Sequence, residues 1–245
     1  MKLLTGTFNI LHGKDYPYYL ETKEERIDLI TLAGHIRSLE LDICGLNEVR
    51  NQENVAGLCN QAKVIAEELG YNYVFGKAIN YRGGEYGNAL LTKHTILSSR
   101  VIPIVVPTEE RIEGQAYEDR AILCADLLVE GQMMTVMVSH FGLHADEMQK
   151  AVESVEAFLQ NCTNPVILMG DLNFGEESEF YTALCGMLKD SNDVAQGSTL
   201  TFPSPNPDRK IDYVFYNQGL EAVKAWVPDV VFSDHRPFVA ELKFI

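Results

Sequence analysis

The 245-residue sequence has no apolar run long enough to cross a bilayer, and no leader pattern precedes its first β-prone residues, Thr5-Gly6-Thr7-Phe8. A cytoplasmic protein without a membrane span is therefore expected. Equally absent are a Gly/Ser/Pro-rich linker, a block of like charge and an internal repeat, so one domain covering residues 1–245 is expected, as a monomer. Cysteine is scarce: five residues, an odd number without framework spacing, exclude a disulfide scaffold and a thiolate zinc site. Cys44, Cys124 and Cys185 lie in apolar runs and read as reduced core residues. The single tryptophan, Trp226, reads as core or edge packing. Basic residues are few. With 20 Lys and Arg against 35 Asp and Glu, a formal net charge of -15 opposes binding that neutralises many phosphates at once, so long duplex nucleic acid is not an expected partner.

What the chain does have is a large apolar content, 46% hydrophobic, in segments whose periods alternate irregularly between strand and helix. Residues 3–10, 41–46, 71–75, 88–92, 96–106, 121–129, 133–139, 165–169, 210–216, 222–227 and 238–244 read as strands. Helical spacing spans Lys23 to Glu40, Ala62 to Leu69 before Gly70, Ala151 to Leu159 and Glu179 to Leu188. Loops are expected at 11–22, 76–87, 107–118 and 202–207, and Gly131-Gln132 reads as a hairpin turn.

Polar residues recur where these strands stop: Asn9, Glu48, His140, Asp171 with Asn173, and the turn Asp234-His235 held by Pro237. Each alone is ordinary. Together they supply the oxygen-rich donor set of a hard cation such as Mg²⁺ or Mn²⁺ rather than zinc. His12, His35, His94 and His144 carry no partner pattern and read as surface or loop residues.

The ordered set Thr7-Phe8-Asn9, Asn47-Glu48, Gly87-Asn88-Ala89-Leu90-Leu91, Glu118-Asp119-Arg120, Ser139-His140, Gly170-Asp171-Leu172-Asn173, Ile211-Asp212-Tyr213 and Ser233-Asp234-His235-Arg236-Pro237 runs from end to end of the chain. In this it resembles the endonuclease/exonuclease/phosphatase superfamily. The resemblance implies a four-layer α/β (α+β) sandwich of two packed, mainly antiparallel sheets flanked by helices. It implies hydrolysis of a phosphoester with Mg²⁺ or Mn²⁺. It assigns Glu48 as the main metal ligand, with Asn9 and Asp234 completing or supporting the shell. Asp171 would orient and deprotonate water, and Asn173 would hold the nucleophile or a phosphate oxygen. His235, paired with Asp212, would contact the phosphoryl group, while His140 and Arg120 would donate to its other oxygens. The chain departs from some members at Leu11, where they carry an aspartate, and at Phe141-Gly142 after the histidine. Tyr86 and Asn88 fall where members differ and carry little weight.

The expected activity is hydrolysis of a small or lipid-derived phosphoester, with a nuclease as the alternative within the same chemistry. A binding module that kept the fold and lost catalysis is the alternative of another class. Such a protein is expected to lack at least one of Glu48, Asp171 and His235, and all are present.

Overall fold

The computed structural model describes residues 2–245. Two mixed six-stranded sheets pack face to face, with helices on both outer surfaces. The first sheet contains β1 (Lys2–Asn9), β2 (Ile43–Asn51), β3 (Asn72–Tyr81), β4 (Gly84–Thr92), β11 (Leu220–Trp226) and β12 (Phe238–Phe244), in the order β11-β12-β1-β2-β4-β3. The second contains β5 (Thr95–Ile104), β6 (Arg120–Val129), β7 (Gln132–Ser139), β8 (Val166–Asp171), β9 (Lys189–Asp190) and β10 (Asp212–Tyr216), in the order β5-β6-β7-β8-β10-β9. Each sheet has one parallel pair at its centre, β1 with β2 and β7 with β8; the other neighbours are antiparallel.

The alternation read from sequence follows from this layering. Leu3, Ile43, Leu90, Leu123, Val136, Val138, Met169 and Val214 point into the space between the sheets. Phe8, Leu46 and Val49 face the opposite way, toward α2 (Leu29–Ser38) and α3 (Gln61–Leu69). The helices α4 (Ala145–Leu159) and α5 (Glu179–Cys185) cover the second sheet through Ala151, Val155, Phe158 and Leu184. Central strands buried on both faces read as continuous apolar runs, which is why Val166–Met169 was legible.

Several local expectations are corrected. The stretch 76–87 is not a loop: β3 and β4 run through it and meet at the two-residue turn Arg82-Gly83, where φ is +47° and +83°. Those are the signs of the turn that matches strand twist, and Glu130-Gly131, rather than Gly131-Gln132, repeats it between β6 and β7 with φ +48° and +83°. The segment 11–22 contains α1 (Tyr16–Thr22), capped by Asp15. The helix expected from Lys23 begins only at Leu29 behind its Asp28 cap; Ile27 instead bridges Lys14, and Ile30 is exposed. Cys185 is exposed rather than core. Trp226 packs at the edge of the cluster under α2 and α3, as read. Among the described residues no helix is long and apolar enough to cross a membrane.

Gly170 shows how closely β7 and β8 approach each other beside the chemistry. Its φ is +151°, and a Cβ there would lie 1.7 Å from the Ser139 carbonyl oxygen on the neighbouring strand. Gly170→Ala is therefore expected to cost upwards of ~3 kcal/mol, since the obstacle is backbone. Urea unfolding checks this, and a midpoint within error of wild type would refute it.

Candidate active site

The C-terminal ends of the two central parallel pairs lie at one edge of the sandwich, and that is where the polar stations gather. β1 delivers Asn9 beside Asn47 of β2, and β8 delivers Asp171 opposite Asp212 of β10. β2 does not end smoothly. Its pairing with β4 shifts between Leu46 and Val49, and Glu48 in that bulge has φ +60°, which turns its carboxylate out of the alternation. A bulky residue held in the left-handed region implies surroundings that enforce it.

Asn9 joins the two carboxylates. Its Nδ2 donates to Glu48 Oε1 and to Asp171 Oδ2, each at 3.1 Å, while its Oδ1 accepts from the Leu11 backbone N–H. The amide nitrogen, rather than the oxygen, thus faces Glu48. Burial works to raise the Glu48 carboxyl, but His12, His140, Asn9 and Tyr86 outweigh it and hold the group at about 2. Glu48 is an anion at any working pH.

Asp171 is fully enclosed. Its Oδ2 lies 3.5 Å from His140 Nε2 and 3.5 Å from His235 Nε2, and its Oδ1 accepts from the Asn173 N–H. Burial, eased by His235 and reinforced by the nearby Asp212 charge, lifts its pKa to about 7. The two histidines differ. Burial pushes His140 down to about 3, helped by Arg120, whose Nη1 lies 3.2 Å from His140 Nδ1. An arginine can only donate, so Nδ1 accepts and the proton sits on Nε2, toward Asp171. For His235 burial also works against the charged form, but Asp212 and then Asp171 overcome it and raise the ring to about 10. The His235 Nδ1–H donates to Asp212 Oδ2 at 2.9 Å, and the Phe202 ring packs against the imidazole.

Asp234 adjoins this cluster from the last turn. Burial raises its carboxyl, His235 opposes that, and Glu48 adds to it, while Ser233 Oγ donates to its Oδ1. Asn173 donates to Asp171 through its backbone N–H, and its side-chain nitrogen donates to the Phe141 carbonyl at 2.9 Å. Arg120 stands one step back, between His140 and Glu118 Oε1 at 2.7 Å.

Glu48, held anionic and fixed by Asn9, and Asp234 offer oxygen donors of the kind a hard divalent cation takes. Separately, Asp171, Asp212 and His235 present ligand atoms within 4.8 Å of one another. There, however, His235 Nδ1 and Asp212 Oδ2 satisfy each other, so the trio is a proton-holding network rather than a cation cage.

Two asparagines bind the halves of the site together. Asn47 of the first sheet donates to the Ser139 carbonyl and accepts from the Asp171 N–H at 2.9 Å, both on the second sheet. It also donates to Asn88, which donates in turn to the Ala121 carbonyl across the interface. Sequence reading gave Asn88 little weight and Asn47 no role. Two amides beside apolar runs were the available signal, since a buried amide needs partners. His12 and Tyr86, a surface or loop residue and a variable position by sequence alone, also face Glu48. His12 Nδ1 lies 3.9 Å from Glu48 Oε2, and the Tyr86 hydroxyl is raised beyond its ordinary value by burial and then by Glu48.

A family profile described as the Endonuclease/Exonuclease/phosphatase family matches residues 6–235. Protein cwh43 of Schizosaccharomyces pombe is 27% identical over 221 residues, which is 88% of this chain and 20% of that protein, so the chain spans about a fifth of its length. YbhP of Escherichia coli K12 is 22% identical over 233 residues, 89% of each chain. Among solved structures, the mannosyl-6-phosphatase of Bacteroides thetaiotaomicron superposes with a TM-score of 0.78 at 19% identity, covering 99% of this chain and all of the other. Ordered motifs, fold and profile coincide over nearly the whole length, and the chain belongs to the endonuclease/exonuclease/phosphatase family, whose members are phosphoesterases or nucleases.

Proposed function

We propose that the protein hydrolyses a phosphoester of a small or lipid-derived molecule, using water and a divalent metal, Mg²⁺ or Mn²⁺. The observation that carries this reading is the placement of Asp171, a buried carboxyl poised near neutrality, between a neutral histidine and a protonated one. A phosphoester resists attack because its anionic oxygens repel the nucleophile, so a site must combine a base with nearby donors. Asp171 accepts the proton of the attacking water. The His235 Nε2–H and the His140 Nε2–H donate to phosphoryl oxygens. Asp212 keeps His235 charged, and Arg120 fixes the His140 tautomer. Glu48 and Asp234, steadied by Asn9, would hold the cation, which when bound neutralises phosphate charge and favours the transition state.

The substrate class rests on charge and on the adjoining space. A cleft of about 580 Å³ lies beside Asn173, lined among others by Leu143, Phe174, Asp208, Arg209 and Lys210, from the loops on either side of the catalytic strands. That volume suits a compact organic group. The net charge of -15 disfavours a long polyanion. Screening a panel of small phosphomonoesters and phosphodiesters against duplex DNA and RNA, each with Mg²⁺ and Mn²⁺ at moderate salt, tests both points. Duplex DNA cut with a kcat/KM well above every small ester would replace this reading with a nuclease. No turnover of any substrate with either metal would favour the binding module.

The ionisation pattern gives a pH prediction. Asp171 acts as a base only when deprotonated, so kcat/KM is expected to rise as pH climbs through about 7. His235 must keep its proton, so the rate falls above about 10. A profile flat through neutrality would remove Asp171 from the base role.

A further inference from the structure

The residues just after Asn9 form an unusual backbone: Leu11, His12 and Gly13 all have positive φ, +46°, +48° and +77°. Two successive left-handed residues other than glycine cost roughly 1–2 kcal/mol each, and such outliers persist only where neighbouring contacts enforce them. The contacts are present. Gly13 N–H donates to the Ile10 carbonyl and Lys14 N–H to that of Leu11, while the Asp28 N–H reaches the Gly13 carbonyl. The buried Gln61 donates to the His12 carbonyl at 2.7 Å, and its Oε1 accepts from the Arg50 N–H at 2.9 Å. One side chain therefore ties the turn to β2 two residues beyond Glu48. At Gly13 the positive φ itself favours glycine, and a Cβ there would also displace the end of the Leu29 side chain, 2.5 Å away.

The turn serves to direct His12. Its imidazole is largely enclosed, with 15% of the side chain exposed, and Nδ1 faces Glu48 Oε2 at 3.9 Å. Asn9 already holds the other oxygen, Oε1, at 3.1 Å. A solvated surface histidine needs neither a left-handed backbone nor a buried glutamine to fix its carbonyl.

We infer that His12 is a positioning residue of this site: held by the left-handed turn, it restrains the second oxygen of Glu48, so that Asn9 and His12 together fix the metal-binding carboxylate in one orientation. This rests on the reading of Glu48 as a metal ligand. The 3.9 Å gap exceeds a direct hydrogen bond and is closed by a small rotation of either side chain or bridged by one water. Outer partners that orient a ligand are typically worth 10–100-fold in metal affinity.

The test is direct Mn²⁺ binding, measured from the electron paramagnetic resonance signal of free Mn²⁺ in titrations of wild type, His12→Ala and His12→Asn, with thermal melts of each metal-free protein. Asparagine is chosen because it tolerates positive φ and places an amide nitrogen where His12 carries Nδ1. The expected result is a 10–100-fold weaker Mn²⁺ affinity for His12→Ala and affinity within about threefold of wild type for His12→Asn, both variants melting cooperatively. Wild-type affinity in a folded His12→Ala overturns the inference. Equal weakening in both folded variants also overturns it, because the restored donor would then be irrelevant. If wild type itself binds no Mn²⁺, the metal-ligand reading of Glu48 fails first, and the role of His12 falls with it.

Discussion

Asp171→Asn is expected to lower kcat by at least ~100-fold with a melting temperature at or above that of wild type. The substitution is isosteric and removes a charge that burial already disfavours, so the fold loses little. It leaves an oxygen to accept from Asn9 but no group that can take a proton from water. KM is expected to change much less than kcat, because the lost interaction belongs to the transition state. A kcat near wild type, measured on whichever ester the substrate panel identifies, would remove Asp171 from the mechanism. A matching loss with an unfolded protein would instead mark it as structural.

Chelation is expected to have a still larger effect. EDTA should take hydrolysis to background, and Mg²⁺ or Mn²⁺ should restore it. Glu48→Gln should lose most of that restored activity, because the amide keeps the shape of the carboxylate and none of its charge. The reason lies in the site's charge: Glu48 is held anionic, and burial together with that charge raises the Asp234 carboxyl, a repulsion that a divalent cation between them would offset. Full turnover in excess chelator would sink the metal reading, and a Glu48→Gln protein with unchanged metal requirement would move the ligand role elsewhere.

The elements with uniform burial were legible in the sequence. β8 is buried throughout and reads as an unbroken apolar run; α3 shows its period and its Gly70 stop. The misreadings came from competing local signals. Glycine at 76, 83, 84 and 87 suggested a loop, yet three of these sites avoid clashes inside paired strands, as at Gly87, where a Cβ would lie 2.0 Å from the Gly76 carbonyl. Ile27 and Ile30 mimicked one more helical turn, but Asp28 begins the helix there. The site residues at strand ends were readable one by one. Their grouping was not, because Asn9, Glu48, Asp171 and His235 are separated by up to 226 residues and meet only through the stacking of two sheets. The cross-sheet amides Asn47 and Asn88 depend on that stacking as well, so no local pattern announces them.

The position of β12 has a consequence for biosynthesis. It lies between β11 and β1, pairing Lys2 with Lys243 and Thr7 with Phe238. The strand that carries Asn9 therefore has only β2 beside it until the ribosome has added more than 200 further residues, an interval of ~10 s or longer at usual elongation rates. During that time an apolar strand edge is open to improper pairing. Asp234 and His235 emerge just ahead of the same strand. Nascent chains that stop before the Asp234 turn would accordingly lack Asp234 and His235 and carry an open apolar edge on β1.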